Sequence, residues 1–140
     1  MEEREIKGII VTGVIGDDVH IVGIRILEHA LREDGYKVVS LGVQTSQEEF
    51  IDAATETNAD AILVSSLSGH AIVLVKGLRD KCIEAGLSDI RLYLGGQLLI
   101  GKTTWEDVER TFLEMGFDRV YPPGVLPPKI ISDLEADIKA

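Results

Sequence analysis

Apolar residues occur along this chain in short blocks of two alternating kinds. Ile6 to Val14 is β-branched and largely apolar, the pattern of a strand buried on both faces. From Ile21 to Asp34 the period changes. Ile24, Leu27 and Leu31 recur on one face, which predicts a helix, and Gly35 stops it. Lys37 to Leu41 reads as a second strand. Ser46-Gln47-Glu48-Glu49 is a capping box that opens a helix through Thr57. Ala59 to Ser66 is a third strand, and His70 to Ala85 a helix ended by Gly86. Arg91 to Leu94 is a fourth strand. Thr104 caps a helix through Met115 that Gly116 closes. Arg119 to Tyr121 is a short fifth strand, Pro122-Pro123-Gly124 breaks the chain, and Ile130 to Ile138 is a last helix.

Strand and helix thus alternate throughout. Such repeats force parallel pairing with right-handed crossovers. Five units predict an α/β, flavodoxin-like (Rossmann-like) parallel sheet in the order 2-1-3-4-5, with helices on both faces. No repeat, linker or low-complexity segment divides the chain, so residues 1–140 are expected to form a single domain. The first strand begins almost at once, so no further N-terminal domain is expected. In the predicted order the first, third and fourth strands are neighbours. Ligands in open α/β sheets bind at the carboxyl ends of the strands, at the switch point between the first and third.

Composition narrows the function classes. The 14 Lys and Arg against 24 Asp and Glu give a net charge of −10. Nucleic-acid binding calls for clustered basic residues, and adsorption to anionic lipid is equally disfavoured. Cys82 is the single cysteine, so no internal disulfide forms. The charged Met1 to Lys7 segment does not read as a secretory signal, so none is expected, and no apolar stretch reaches membrane-spanning length. The expected location is the cytoplasm.

Three short motifs fall at strand ends. Asp18-Val19-His20-Ile21-Val22-Gly23 lies where the first strand hands over to the first helix. A histidine that ligates a metal usually donates its other ring N–H to a carboxylate, and Asp18 is two residues away. Ser65-Ser66-Leu67 ends the third strand and Gly95-Gly96 follows the fourth. Each has a plainer explanation. Asp17 or Asp18 can cap the helix, and His20 can be a surface residue. The serines can cap a turn, Leu67 can be core, and Gly95-Gly96 can be a turn leading to Gln97. Gly8, Gly13 and Gly16 form no G-x-G-x-x-G, which argues against a dinucleotide site. His29 and His70 read as structural or exposed, Trp105 as packing, and Cys82 as an inert core thiol.

The pattern D-x-H-x-x-G resembles the cobalamin-binding motif of corrinoid proteins and mutases, with S-x-L and the double glycine following in that family's order. Nearly the whole chain, from about Ile9 to Gly124, resembles the small, cobalamin-binding subunits of glutamate (methylaspartate) mutases. The resemblance runs through Gly13-Val14-Ile15-Gly16, Ser46-Gln47-Glu48, Val64 to Leu67, Lys76 to Arg79 and Lys81-Cys82 with Glu84-Ala85-Gly86. It continues in Gly95-Gly96, Gly101-Lys102 and the long run Met115 to Gly124. It implies adenosylcobalamin as cofactor, with His20 as the axial ligand to cobalt in place of the cofactor's own base and Asp18 bonded to that histidine. The displaced nucleotide tail would enter a slot by Ser65, Ser66, Leu67, Gly95 and Gly96, and Gly23 would let the first helix and the ligand approach closely. Asp17, Asp18, Val19, His20 and Ile21, and Gln97, Leu98, Leu99, Ile100 and Gly101, would line the cofactor. The implied partner is a large barrel subunit that binds glutamate, in a heterotetramer. The chain would be one component of an isomerase and inactive alone.

One stretch departs from the family. Where it continues with tyrosine, glycine and an acidic helix start, this chain has Ser68-Gly69-His70-Ala71-Ile72-Val73-Leu74-Val75. The change bears on the substrate more than on the cofactor, and a related carbon-skeleton mutase stays open. A dicarboxylate substrate calls for convergent arginines. Arg25, Arg32, Arg79 and Arg91 read instead as dispersed, solvated charges. The substrate site is therefore expected on a partner docked over His70 and the Gly101-Lys102 turn. The main rival is a corrinoid methyl carrier, which would use the same His20. A phosphorylated receiver is disfavoured because the third strand ends in Ser65-Ser66, not in aspartate. A flavin carrier is disfavoured because Gly16-Asp17-Asp18 would repel phosphate.

Overall fold

The computed structural model describes residues 6–16, 22–66, 71–96, 98 and 104–139. The strands are β1 (Ile9–Val14), β2 (Lys37–Ser40), β3 (Ala61–Ser66), β4 (Arg91–Gly96) and β5 (Arg119–Val120). The helices are α1 (Val22–Glu33), α2 (Gln47–Thr57), α3 (Ala71–Val75), α4 (Leu78–Glu84), α5 (Trp105–Glu114) and α6 (Pro127–Lys139). All strands pair in parallel, in the order β2-β1-β3-β4-β5. This is the flavodoxin-like arrangement the strand–helix alternation predicts.

Side chains alternate across a strand, so the sheet carries two cores. On one face Val11, Ile62, Val64, Leu92 and Leu94 pack against Phe50 and Ala54 of α2, Leu78 and Cys82 of α4, and Phe112 of α5. On the other, Ile10, Val14, Leu63 and Tyr93 pack against Ile24, Leu27 and Leu31 of α1 and Ile130 and Leu134 of α6. Cys82 is fully buried, and burial pushes its thiol pKa up, so it is the inert core thiol expected. Trp105 packs against the first core, and His29 is an exposed residue 3.3 Å from Glu33. Among the described residues no helix is long and apolar enough to cross a membrane.

The capping box of α2 forms as its residues predict. Ser46 accepts from the Glu49 backbone N–H at 3.1 Å, and Glu49 accepts from the Ser46 N–H at 3.1 Å. Other boundaries shift. The expected helix from His70 to Ala85 is two helices, because Gly77 adopts φ +82°, a left-handed conformation that interrupts the ladder. Gln47 Nε2 takes up the loosened carbonyls, donating to Leu74 O at 2.6 Å and Lys76 O at 3.0 Å. The last helix starts at Pro127 rather than Ile130, since Pro127 and Pro128 occupy its first turn, where no N–H is needed.

Candidate functional site at the carboxyl edge of the sheet

Gly95 and Gly96 are the last two residues of β4, not a turn beyond it. Parallel register sets Ser65 opposite Gly95 and Ser66 opposite Gly96, while Val14 lies opposite Ser65. Two motifs thirty residues apart are thus one motif in space, and the end of β1 abuts them. In sequence, the Asp18-x-His20 motif follows that same strand. Asp17, Asp18, Val19, His20, Ile21, Leu67, Gln97, Leu99, Ile100 and Gly101 lie outside the described residues.

Alternation divides the motif residues between the faces. Ser65 and Gly95 belong to the face covered by α1 and α6, and both line a slot of about 410 Å³. Gly23 and Gly96 line it too, with Ile24 and Leu27 of α1, Tyr93, Tyr121, the Pro122–Leu126 segment, and Pro127 and Ile130 of α6. Small-molecule sites span about 300–1,000 Å³, and this slot falls within that range. Its width depends on small residues. A Cβ on Gly23 would meet nothing within 4 Å, and one on Gly95 would point at Tyr121 Cβ, 3.7 Å away. Gly96 has φ +110°, so the strand ends in a conformation that side chains rarely take.

Ser66 belongs to the opposite face. Its hydroxyl is buried and meets no hydrogen-bond partner among the described residues. Leu98 is also buried on that face, in the α2–α4–α5 core. A buried hydroxyl without a partner is costly.

Several slot residues were not singled out in the sequence. Tyr93 and Tyr121 stack edge-to-face, with ring centroids 5.8 Å apart and planes at 66°. Their hydroxyls turn away from the slot. Tyr121 donates to Asp133 Oδ2 at 2.7 Å and Tyr93 donates to Asp137 Oδ2. Burial, and then the neighbouring carboxylates, push both phenol pKa values well up. Arg119 grips Asp137 with two bonds of 2.8 and 2.9 Å and holds its carboxyl down at about 2. The sequence signal was there, in the run Arg119 to Gly124, but its side-chain partners lie on α6.

The arginines need one correction. Arg25 and Arg32 are exposed, as expected. Arg79 is not a solvated charge. It donates to Gly116 O, Ile90 O and Asp118 Oδ2, each at 2.8 Å, at the amino end of the sheet. Arg91 joins it there, 4.0 Å from Asp118 and donating to Asp137 O at 3.3 Å. Both are remote from the motifs, because the parallel sheet separates its two ends. A buried carboxyl group lies under α1. Thr12 Oγ1 donates to Glu28 Oε2 at 2.5 Å, and Glu28 Oε1 has no hydrogen-bond partner among the described residues.

Residues 8–124 match the B12 binding domain family. The chain is 55% identical over 129 residues to the glutamate mutase sigma subunit of Carboxydothermus hydrogenoformans, covering 92% of this chain and 94% of that one. It is 54% identical to the sigma subunit of Clostridium tetanomorphum, with the same coverage of both chains. Among solved structures, a cobalamin-binding protein from Desulfitobacterium hafniense shares the fold, with a TM-score of 0.75 at 19% identity over 92% of this chain and 58% of that one. A five-stranded sheet whose carboxyl edge joins Ser65 to Gly95, and sequence identity across almost the whole length, lead to one conclusion: the chain belongs to the glutamate mutase sigma subunit family and carries its B12 binding domain.

Proposed function

We propose that this chain holds adenosylcobalamin at the carboxyl edge of its sheet and presents it to a larger barrel subunit, for the rearrangement of glutamate to 3-methylaspartate. The observation that carries this reading is the slot between the sheet and helices α1 and α6, apolar and walled by glycines. It suits a flat nucleotide base on a long tail. Tyrosine and proline faces supply apolar contact, and the Ser65 hydroxyl supplies a polar one. Ser66 Oγ, without a partner among the described residues, fits a polar arm of a large ligand at the same edge.

In this reading His20 would hold the cofactor's cobalt, and Asp18 would accept the other ring N–H of that histidine, fixing its tautomer and raising its basicity. When bound, the cofactor supplies the weak cobalt–carbon bond from which the radical rearrangement proceeds. The chain's own residues bind and orient it, and they exclude water from the tail. Ile72 and Val73, exposed on α3 just beyond β3, support a partner covering this edge, where the substrate site would lie. The assembly is then a cytoplasmic heterotetramer. The methyl-carrier reading draws support only from a shared fold, while the sigma-subunit relatives favour the mutase.

The test is the electron paramagnetic resonance spectrum of the full chain with cobalt(II) cobalamin. Labelling histidine with nitrogen-15 is expected to change the axial nitrogen splitting, and His20→Ala to abolish it. An axial nitrogen that is insensitive to the label, or that persists in His20→Ala, overturns the assignment.

A further inference from the structure

The slot has one wall made of strands and another made of α6, and the polar groups joining the two walls lie just behind it. Tyr121 and Tyr93 face the slot with their rings and α6 with their hydroxyls. The acceptors, Asp133 and Asp137, are one helical turn apart on α6. Arg119 spans the pair, 3.2 Å from Asp133 Oδ1 and bonded to both oxygens of Asp137. Lys129 adds a bond of 3.1 Å to Asp133, which is itself 7% exposed.

Apolar packing alone would seat the helix at least as well, since buried charges are weak sources of net stability. Directional bonds add one defined distance and ring angle. We propose that Asp133, acting through Tyr121, is a positioning residue for the cofactor's nucleotide tail, setting the gap between α6 and the Gly95 strand. The proposal rests on the tail occupying the slot. Tyr121 is the hinge of the arrangement: its Cβ faces the space left by Gly95, so any tilt of its ring narrows or opens the slot.

The experiment compares two corrinoids on the full chain, cobalamin and the tail-less cobinamide, by absorbance titration. The wild-type chain is expected to bind cobalamin more tightly. In Tyr121→Phe the ratio of the two affinities is expected to fall about tenfold, because a hydrogen bond to a charged group contributes about that factor. Asp133→Asn is expected to act in the same direction. A merely structural role would lower both affinities together and leave the ratio alone. If Asp133→Asn does not fold, Tyr121→Phe, which keeps the ring, still decides. A Tyr121→Phe ratio within twofold of wild type overturns the positioning role and leaves the slot reading standing. A wild-type chain that does not distinguish the two corrinoids overturns the slot reading and the proposal with it.

Discussion

The two ends of the sheet are built on opposite plans. At the amino end, polar groups are consumed within the protein. Asp118 Oδ2 accepts from both Arg79 and the Leu92 backbone N–H, the latter at 2.9 Å, and Asp60 Oδ2 accepts from the Ile9 N–H at 2.8 Å. A hollow of about 620 Å³ lies there, larger than the slot, yet many of the charged groups around it already bond to one another or to backbone. At the carboxyl end β3 finishes in serine and β4 in glycine, the slot is apolar, and Ser66 Oγ lacks a partner among the described residues. The size of a hollow is therefore a poor guide to function here. Unspent bonding capacity and missing side chains are better ones, since local rules are broken where a ligand is to complete them.

That contrast can be broken most directly at Arg79. Removing it leaves Asp118 and two carbonyls short of a partner at a half-buried site. Arg79→Ala is expected to cost about 3 kcal/mol in urea unfolding. Cobalamin affinity of the folded chain should stay within about twofold. Arg79→Lys should recover less than half of the loss, because one ammonium cannot copy the fork. A cost below about 1 kcal/mol would mean that stability is not concentrated at the amino end.

The converse substitution is Gly95→Val. The backbone of Gly95 is not left-handed, and a β-branched residue suits a strand, so stability should change by no more than about 0.5 kcal/mol. The new methyl groups enter the slot, and overpacking of about 1–3 kcal/mol should weaken cobalamin binding about tenfold or more. Unchanged affinity would place the ligand elsewhere.

The smallest effect concerns Asp137, on the α6 side of the amino end. Arg119 holds its carboxyl down at about 2, so folding favours the ionised form. The resulting stabilisation is present above the ordinary carboxylate range near about 4 and disappears as the pH falls toward about 2. Thermal midpoints of wild type and Arg119→Met should therefore differ at neutral pH and converge across that window. A difference that stays constant with pH would show that the pair adds nothing to holding α6.

Sequence reading succeeded where the determinant was local. The capping box at Ser46, the cap at Thr104 and the stop at Gly116 need only neighbours within a few residues, and all three form. It erred where a distant group intervened. The helix from His70 was expected to run unbroken to Ala85; the carbonyls at the break near Gly77 are taken up by Gln47, about thirty residues earlier. Arg79 looked like a surface charge on a helix, and its acceptors come from the segments before β4 and β5.

The sequence alone determined the architecture and the edge at which to look. Alternating strand and helix periods predict a parallel sheet in the order 2-1-3-4-5, and that order brings the ends of β1, β3 and β4 together. Tertiary structure alone decided the register that pairs Ser65 with Gly95, the division of Ser65 and Ser66 between opposite faces, and the tyrosine–aspartate lock behind the slot. The physical reason is range. Periodicity and caps act over a few residues of chain. Register, burial of charge and the width of a slot depend on groups far apart in sequence, and packing alone brings those together.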